Sequence, residues 1–256
     1  MADVINGFVI CVGVGICGLN LLQVSFAAGL KKQVSRYFGF FFGFIIVYIL
    51  SHLLRSLFDG VAGGGARVFL QMVTFNEFLS SGFMVYMISV LVAYLARPKR
   101  IKGFFIFFLC VLAVYAVTLF ISQFFDLYYF FDENNVFNRS PLYILSNGAH
   151  VVMLVTNMYL LIRYRAAVQK RIKRAIWVCL LAPLAAIALQ AFIKDIQFII
   201  IATVFGAVYM YVAIMWNVIE DNEKQKMDNQ RIETELSMAS AIQADMMPNI
   251  FPAFPE

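Results

Sequence analysis

The stretch "IQFIIIATVFGAVYMYVAIMWNVIE", Ile196 to Glu220, decides the fold. It carries no charged side chain before Glu220. A membrane-spanning helix needs about 20 mostly apolar residues, and this run supplies them. Six further runs of the same kind precede it, at roughly 5–29, 37–58, 67–95, 104–124, 141–163 and 175–193, with 196–219 the seventh. The breaks between them are polar or glycine-bearing, as in "KKQVSR", "DGVAGGGAR" and "RPKRIKG". Regular two-residue alternation is absent, which argues against a membrane barrel. The expected fold is an all-α bundle of seven transmembrane helices.

Composition agrees. Of 256 residues, 62% are hydrophobic, against about 45–50% in an ordinary soluble domain. The start "MADVINGFVI" lacks the basic flank of a cleavable signal peptide. Cys11, Cys17, Cys110 and Cys179 all fall inside apolar runs and read as small hydrophobes, with no disulfide framework or zinc spacing. The net charge of +5 is no sign of nucleic-acid binding, because the basic residues gather in a few short loops.

Those loops set an expected orientation. Lys31, Lys32 and Arg36 lie between runs 1 and 2; Arg97, Lys99, Arg100 and Lys102 between 3 and 4; and Arg163, Arg165, Lys170, Arg171, Lys173 and Arg174 between 5 and 6. The opposite side has Arg55, Arg67, Arg139 and Lys194, set against Asp59, Asp126, Asp132 and Glu133. The N-terminus is therefore expected outside and the C-terminal arm in the cytoplasm. The outer loops are short apart from the aromatic, acidic 4–5 loop. An Asn138-Arg139-Ser140 sequon in it is followed by Pro141 and carries little weight.

Polar groups at membrane depth are costly, so each one invites a functional reading. Run 3 contains "LQMVTFNEFLSS", where Gln71, Thr74, Glu77 and Ser81 recur at spacings of 3, 3 and 4 and share one helical face. Asn147, His150 and Asn157 share a face of run 5, and His52 and Arg55 lie one turn apart on run 2. Gln190 and Lys194 end run 6, and Gln197 opens run 7. With the assigned orientation His52, Arg55, Gln71, Thr74, Glu77, Asn147, His150, Gln190 and Gln197 fall in the outer half of the bundle. The expected site is an outward-facing pocket for a small extracellular ligand, lined by Glu77, His150, Asn147, His52, Arg55, Thr74, Gln71, Gln190 and Gln197. Glu77 would meet an amine, and Arg55, His52 or Lys194 a carboxylate or phosphate. Two alternatives stand beside it. Glu77 pairs with Arg55 or His150 merely to hold helices together, or the polar line is an ion or proton path. Pro183, in the middle of run 6, removes one backbone hydrogen bond and reads either as an ordinary membrane proline or as a hinge.

Other classes fit less well. A retinal protein needs a lysine deep in the last span, and run 7 has none. A transporter is expected to show inverted repeats with paired broken helices. Intramembrane hydrolysis lacks a spacing signature for a nucleophile and base. A transporter or channel, and a passive membrane anchor, remain the rival functions.

After Glu220 the chain turns into "DNEKQKMDNQRIETELSMASAIQADMMP", free of glycine and, until Pro248, of proline. Val218, Asn222, Gln225, Asn229, Ile232, Leu236, Ala239, Gln243 and Met246 recur at alternating steps of 4 and 3, the a/d seam of a coiled coil. Polar seam residues lower stability and help fix register, so a weak, switchable parallel homodimer is expected. A helix packed on a following domain is the other reading. No histidine is present in this arm to accept a phosphoryl group, which disfavours a histidine kinase.

"ELSMASAIQADMMPNIFPAFP" resembles the segment entering SpoIIE/RsbU-type serine/threonine phosphatases of the PPM fold. The pattern E-L-x-x-A-x-x-I-Q-x-x-[ML]-[ML]-P followed by P-x-x-P is met by Glu235, Leu236, Ala239, Ile242, Gln243, Met246, Met247, Pro248, Pro252 and Pro255. The seven-helix part is similar in layout only to sensor regions fused to bacterial phosphatases, kinases and cyclases. The resemblance implies a bacterial inner-membrane receptor of two parts, a sensor over 1–219 and a signalling linker over 220–256. It implies a phosphatase domain after Glu256 that holds Mn or Mg and acts on a cytoplasmic phosphoprotein, with no catalytic residue in this chain. Residues Glu235 to Met247 would be its switch helix.

Overall fold

A computed structural model of the chain describes residues 2–27, 29–192 and 197–246. Its α-helices are α1 (Ala2–Phe26), α2 (Lys32–Phe58), α3 (Gly64–Ala96), α4 (Ile101–Phe125), α5 (Gly148–Arg163), α6 (Lys170–Phe192) and α7 (Phe198–Met246), and each supplies a segment long and apolar enough to cross a membrane, the fifth of them running from Tyr143 through the turn before α5 to Arg163. The chain is thus an all-α multi-pass membrane protein by length and composition. Large apolar side chains such as Phe8, Val114, Phe120 and Ile162 point outward. Water would penalise that surface, and acyl chains do not.

Two compact units divide between Ile214 and Met215. In the first, α3 is the central element. Half of its most apolar window is buried, against 17% for α1 and 22% for α4. Its buried residues include small and polar ones, Thr74, Ser80, Gly82 and Ser89, which let neighbours approach closely. Gly82 is where Tyr115 of α4 crosses: a Cβ there would lie 2.6 Å from the Tyr115 ring. Gly206 of α7 plays the same part against α6, where a Cβ would lie 3.0 Å from Cys179 Cα. Phe38 and Phe42 of α2 pack edge-on against Tyr211 of α7, with ring centres 5.3 and 5.9 Å apart.

The connection from α4 to α5 is folded, which the sequence reading did not anticipate. Strands β1 (Tyr129–Phe131) and β2 (Phe137–Arg139) pair antiparallel, with Tyr129 opposite Arg139 and Phe131 opposite Phe137. The turn is built by Asp132, whose Oδ1 accepts from the Asn134 and Val136 amides, and by Asn135, which takes the left-handed conformation at φ 60°. Asn135 also donates from Nδ2 to the carbonyls of Val61 and Gly63, and its own carbonyl accepts from Gly60 N. These bonds lock the hairpin onto the α2–α3 connection. A 3-10 turn, Tyr143–Asn147, then leads into α5. The fifth apolar run therefore becomes α-helical only at Gly148, because Pro141 and the bond from Tyr143 N to the Ser140 carbonyl hold its start in a tight turn.

The second unit is described from Met215 to Met246, the C-terminal part of α7. Its side chains from Glu223 to Gln243 are all exposed, including Ile232, Leu236 and Ile242. Arg231 and Glu235 form an i,i+4 ion pair at 2.8 Å, an exposed contact worth only a few tenths of a kcal/mol.

Gly82→Ala is expected to push the Tyr115 ring aside and cost about 1–3 kcal/mol, read as a lower unfolding midpoint in detergent. Gly18→Ala, where nothing lies within 4 Å of the new methyl group, should leave the midpoint unchanged or raise it. Equal losses at both positions would contradict the packing described.

Candidate functional site

Glu77 lies about 20 Å along α3 from Gly64, counting 1.5 Å per residue, and is 6% exposed. Two residues one turn apart on α2 meet it. Arg55 donates from Nε to Oε2 at 2.6 Å and from Nη2 to Oε1 at 3.2 Å, a bidentate fork. His52 Nδ1 lies 2.8 Å from Oε1. A bare nitrogen lone pair would repel the carboxylate at that distance, so Nδ1 carries the proton and donates. The 3.1 Å separation between Arg55 Nη2 and His52 Nδ1 is then proximity within the cluster and not a bond. The charges of Arg55 and Glu77 cancel. Asn76 donates to Ser51 Oγ at 2.9 Å and adds a second polar tie between α2 and α3.

The hairpin roofs this cluster. Phe137 places its ring 4.8 Å from Arg55 Cζ, and Tyr143 sits 4.8 Å below Arg139 Cζ. Tyr129 stacks on Phe78 of α3 at 5.3 Å. Burial pushes the Tyr129 phenol up to about 12; the hydrogen bond from Gln123 opposes this and the charge of Glu77 adds to it. Tyr129 therefore stays neutral across the physiological range.

One turn further along α3, Ser81 Oγ donates to the Phe78 carbonyl at 2.7 Å and accepts from His150 Nε2 of α5 at 3.1 Å. Tyr115 donates to the same carbonyl at 3.0 Å and lies edge-on to the His150 ring at 5.2 Å. His150 Nδ1 is buried beside the Ser146 backbone without reaching hydrogen-bond geometry. Two turns beyond Ser81, Ser89 accepts from Asn157 of α5 at 2.8 Å. One face of α3 thus carries Glu77, Ser81 and Ser89, the first tied to α2 and the others to α5.

Between α2 and α3 on one side and α5, α6 and α7 on the other lies a cavity of about 420 Å³. Glu77, Tyr48, Ser81, Asn147, His150 and Thr203 bring polar groups to it. Met84, Val85 and Ile88 of α3, Leu154 of α5, and Leu180 and Leu184 of α6 make most of its wall apolar. Pro183 faces it from the middle of α6.

Of the residues expected to form a pocket, Glu77, Asn147 and His150 line the cavity. His52 and Arg55 are spent on Glu77. Thr74 is fully buried, with its hydroxyl unbonded, and Gln71 is half-buried on α3 away from the lining. Gln197 sits just before α7, where its backbone N–H donates to Asn6 Oδ1. The Gln190 side chain and Lys194 lie outside the described residues, as does the Met246 side chain. Along the arm, Gln225, Asn229, Ile232, Leu236, Ala239 and Gln243 are exposed and Asn222 is half-buried. Tyr48, Tyr143, Ser146 and Thr203 line the cavity without having been anticipated. Tyr48 stands four residues before His52, so helical spacing was the available signal; for Thr203 there was none.

The Ser81–His150 pair is not arranged as a nucleophile and base. The serine proton points to a carbonyl, the histidine donates instead of accepting, and no carboxylate orients its other nitrogen. No group of three His, Cys, Asp or Glu side chains able to hold a metal occurs among the described residues. No protein-family model matches the chain, and no curated protein matches it either.

Removing one partner of a buried ion pair strands the other charge. Glu77→Gln is expected to destabilise the bundle by about 3–5 kcal/mol. The double variant Arg55→Met/Glu77→Leu should recover much of that loss. Unfolding in mixed micelles checks the cycle; strictly additive effects would show that the pair is not coupled.

Proposed function

We propose that the chain is the membrane sensor and transmission helix of a bacterial receptor that controls a SpoIIE/RsbU-type protein serine/threonine phosphatase. The observation that carries this reading is the extent of α7. It lends Ile199 and Thr203 to the cavity wall and is helical to Met246, where the phosphatase-entry motif lies. A ligand that fits one shape of the cavity better than another biases whatever α7 does further along, by the difference of its two affinities.

The remaining parts follow from the resemblance and the charge pattern. The N-terminus and the hairpin lie outside the inner membrane and the arm lies in the cytoplasm, in accord with the basic loops. Two arms pair through Ile232, Leu236 and Ala239, whose exposed apolar side chains have no cover within one described chain. The polar positions Asn222, Gln225 and Asn229 keep that pairing weak enough to shift. The phosphatase domain supplies the Mn or Mg chemistry and meets the phosphoprotein.

Two experiments test this. Replacing 1–214 by unrelated membrane spans in the full-length protein is expected to abolish regulation while leaving basal output; retained regulation would reduce the bundle to an anchor. Single cysteines at Ile232 and Leu236 should cross-link between copies in membranes, whereas Thr234→Cys, on the far side of the seam, should not. Equal cross-linking at all three would sink the dimer.

A further inference from the structure

The cavity holds charged groups and neutral polar groups, and they differ in whether their bonding capacity is already used. Both oxygens of Glu77 are occupied, one by Arg55 Nε and the other by His52 and Arg55 Nη2. An incoming ammonium would have to displace a guanidinium from its bidentate partner. An incoming carboxylate would face Glu77, and among the described residues no lysine or arginine lines the cavity to meet it. By contrast, Tyr48, Asn147 and Thr203 reach the same cavity and make no side-chain hydrogen bond to the described residues. Unpaired neutral donors and acceptors at membrane depth lose free energy until something bonds to them. They are the groups a ligand head can satisfy at no electrostatic cost.

The walls and mouth point the same way. The far end of the cavity is apolar, formed by Met84, Val85, Ile88, Leu154 and Leu180. At the polar end Phe78 packs between Tyr129 and Tyr143. The side between α5 and α6 is open. Val151 is 52% exposed and Ile187 53%, both line the cavity, and both lie within membrane-spanning segments. A mouth rimmed by aliphatic side chains at that depth faces acyl chains, not water.

We infer that the cavity takes an uncharged amphiphile, with a hydroxyl or carbonyl head and an apolar body, which enters laterally from the bilayer between α5 and α6. The head bonds to Tyr48, Asn147 and Thr203, and the body lies along Met84, Ile88 and Leu180. A volume of about 420 Å³ falls within the ~300–1,000 Å³ of small-molecule sites. This inference rests on the receptor reading above and replaces the small extracellular ligand expected from the sequence with a membrane-borne signal.

The test uses the chain in lipid nanodiscs and four probes: 1-decanol, decanoate, decyltrimethylammonium and the soluble zwitterion betaine. A diazirine analogue of 1-decanol should label peptides of α5 and α6. Unlabelled 1-decanol should compete about tenfold better or more than either charged chain, and betaine should not compete. Ile187→Trp, which blocks the mouth, should cut labelling about tenfold or more; Thr203→Val, which removes one hydroxyl at constant shape, should cut it severalfold. Tighter binding of a charged probe or of betaine would overturn the inference. So would labelling spread evenly over all helices, or labelling indifferent to both variants. If no probe binds while exchange of the bundle still abolishes regulation, the ligand class is wrong and the receptor reading stands. If 1-decanol binds as described but Ile187→Trp leaves regulation intact in the full-length protein, the ligand class stands and the receptor reading fails.

Discussion

A carboxylate held at membrane depth is the constraint from which the rest of the bundle follows. Glu77 cannot be left ionised and alone in a medium that solvates charge so poorly. Arg55 and His52 meet it from one face of α2, and that fixes the rotation and axial register of α2 against α3. Once α3 is placed, its next polar turns select α5 through Ser81 and Ser89. Its glycine at 82 admits Tyr115 of α4. The ion cluster also anchors the hairpin, because Arg55 Cζ lies over the Phe137 ring. One buried charge thus organises three neighbours of α3 and the roof above them.

The same constraint shapes what the cavity is able to recognise. A bidentate guanidinium–carboxylate pair with a histidine donor is nearly closed electrostatically, so it serves as a wall and not as a hook. For a ligand of the class proposed above, recognition would fall to the neutral groups beside it, and the apolar walls would supply the larger part of the binding free energy. Pro183 faces this cavity from α6, and Gly206 lets α7 approach α6 at Cys179. A displaced ligand body of the class proposed above would therefore bear on two helices that meet backbone to backbone at Gly206 and Cys179.

The seven spans were legible in the sequence because each is a long apolar run bounded by charge or glycine, and membrane length leaves little freedom. The polar face of α3 was legible from its spacing of three and four. The partners of Glu77 were legible only as alternatives: Arg55, His52 and His150 all lay at plausible depth, and helical spacing says nothing about how two helices are rotated against each other. The hairpin was hidden for a different reason. "YYFFDENNVFNR" alternates too briefly to register as strands, and its pairing depends on Asn135 reaching carbonyls more than 70 residues away. Tyr48 and Thr203 were hidden because a lone hydroxyl in a span is ordinary until a cavity is found beside it. The arm was legible as a helix from its lack of glycine and proline; its expected seam is exposed along a single chain, and pairing with a second copy is the proposal made above.

Coupling between the cavity and the arm is tested most directly by the distance between two copies of α7. Spin labels at Leu236→Cys, with Cys11 and Cys110 replaced, report that distance by pulsed electron resonance in nanodiscs. Thr203→Trp fills the cavity from α7 without touching the arm. A distance distribution that shifts between the parent and the filled variant is the expected result. Two identical distributions, with both proteins dimeric, would show that what occupies the cavity does not reach the arm.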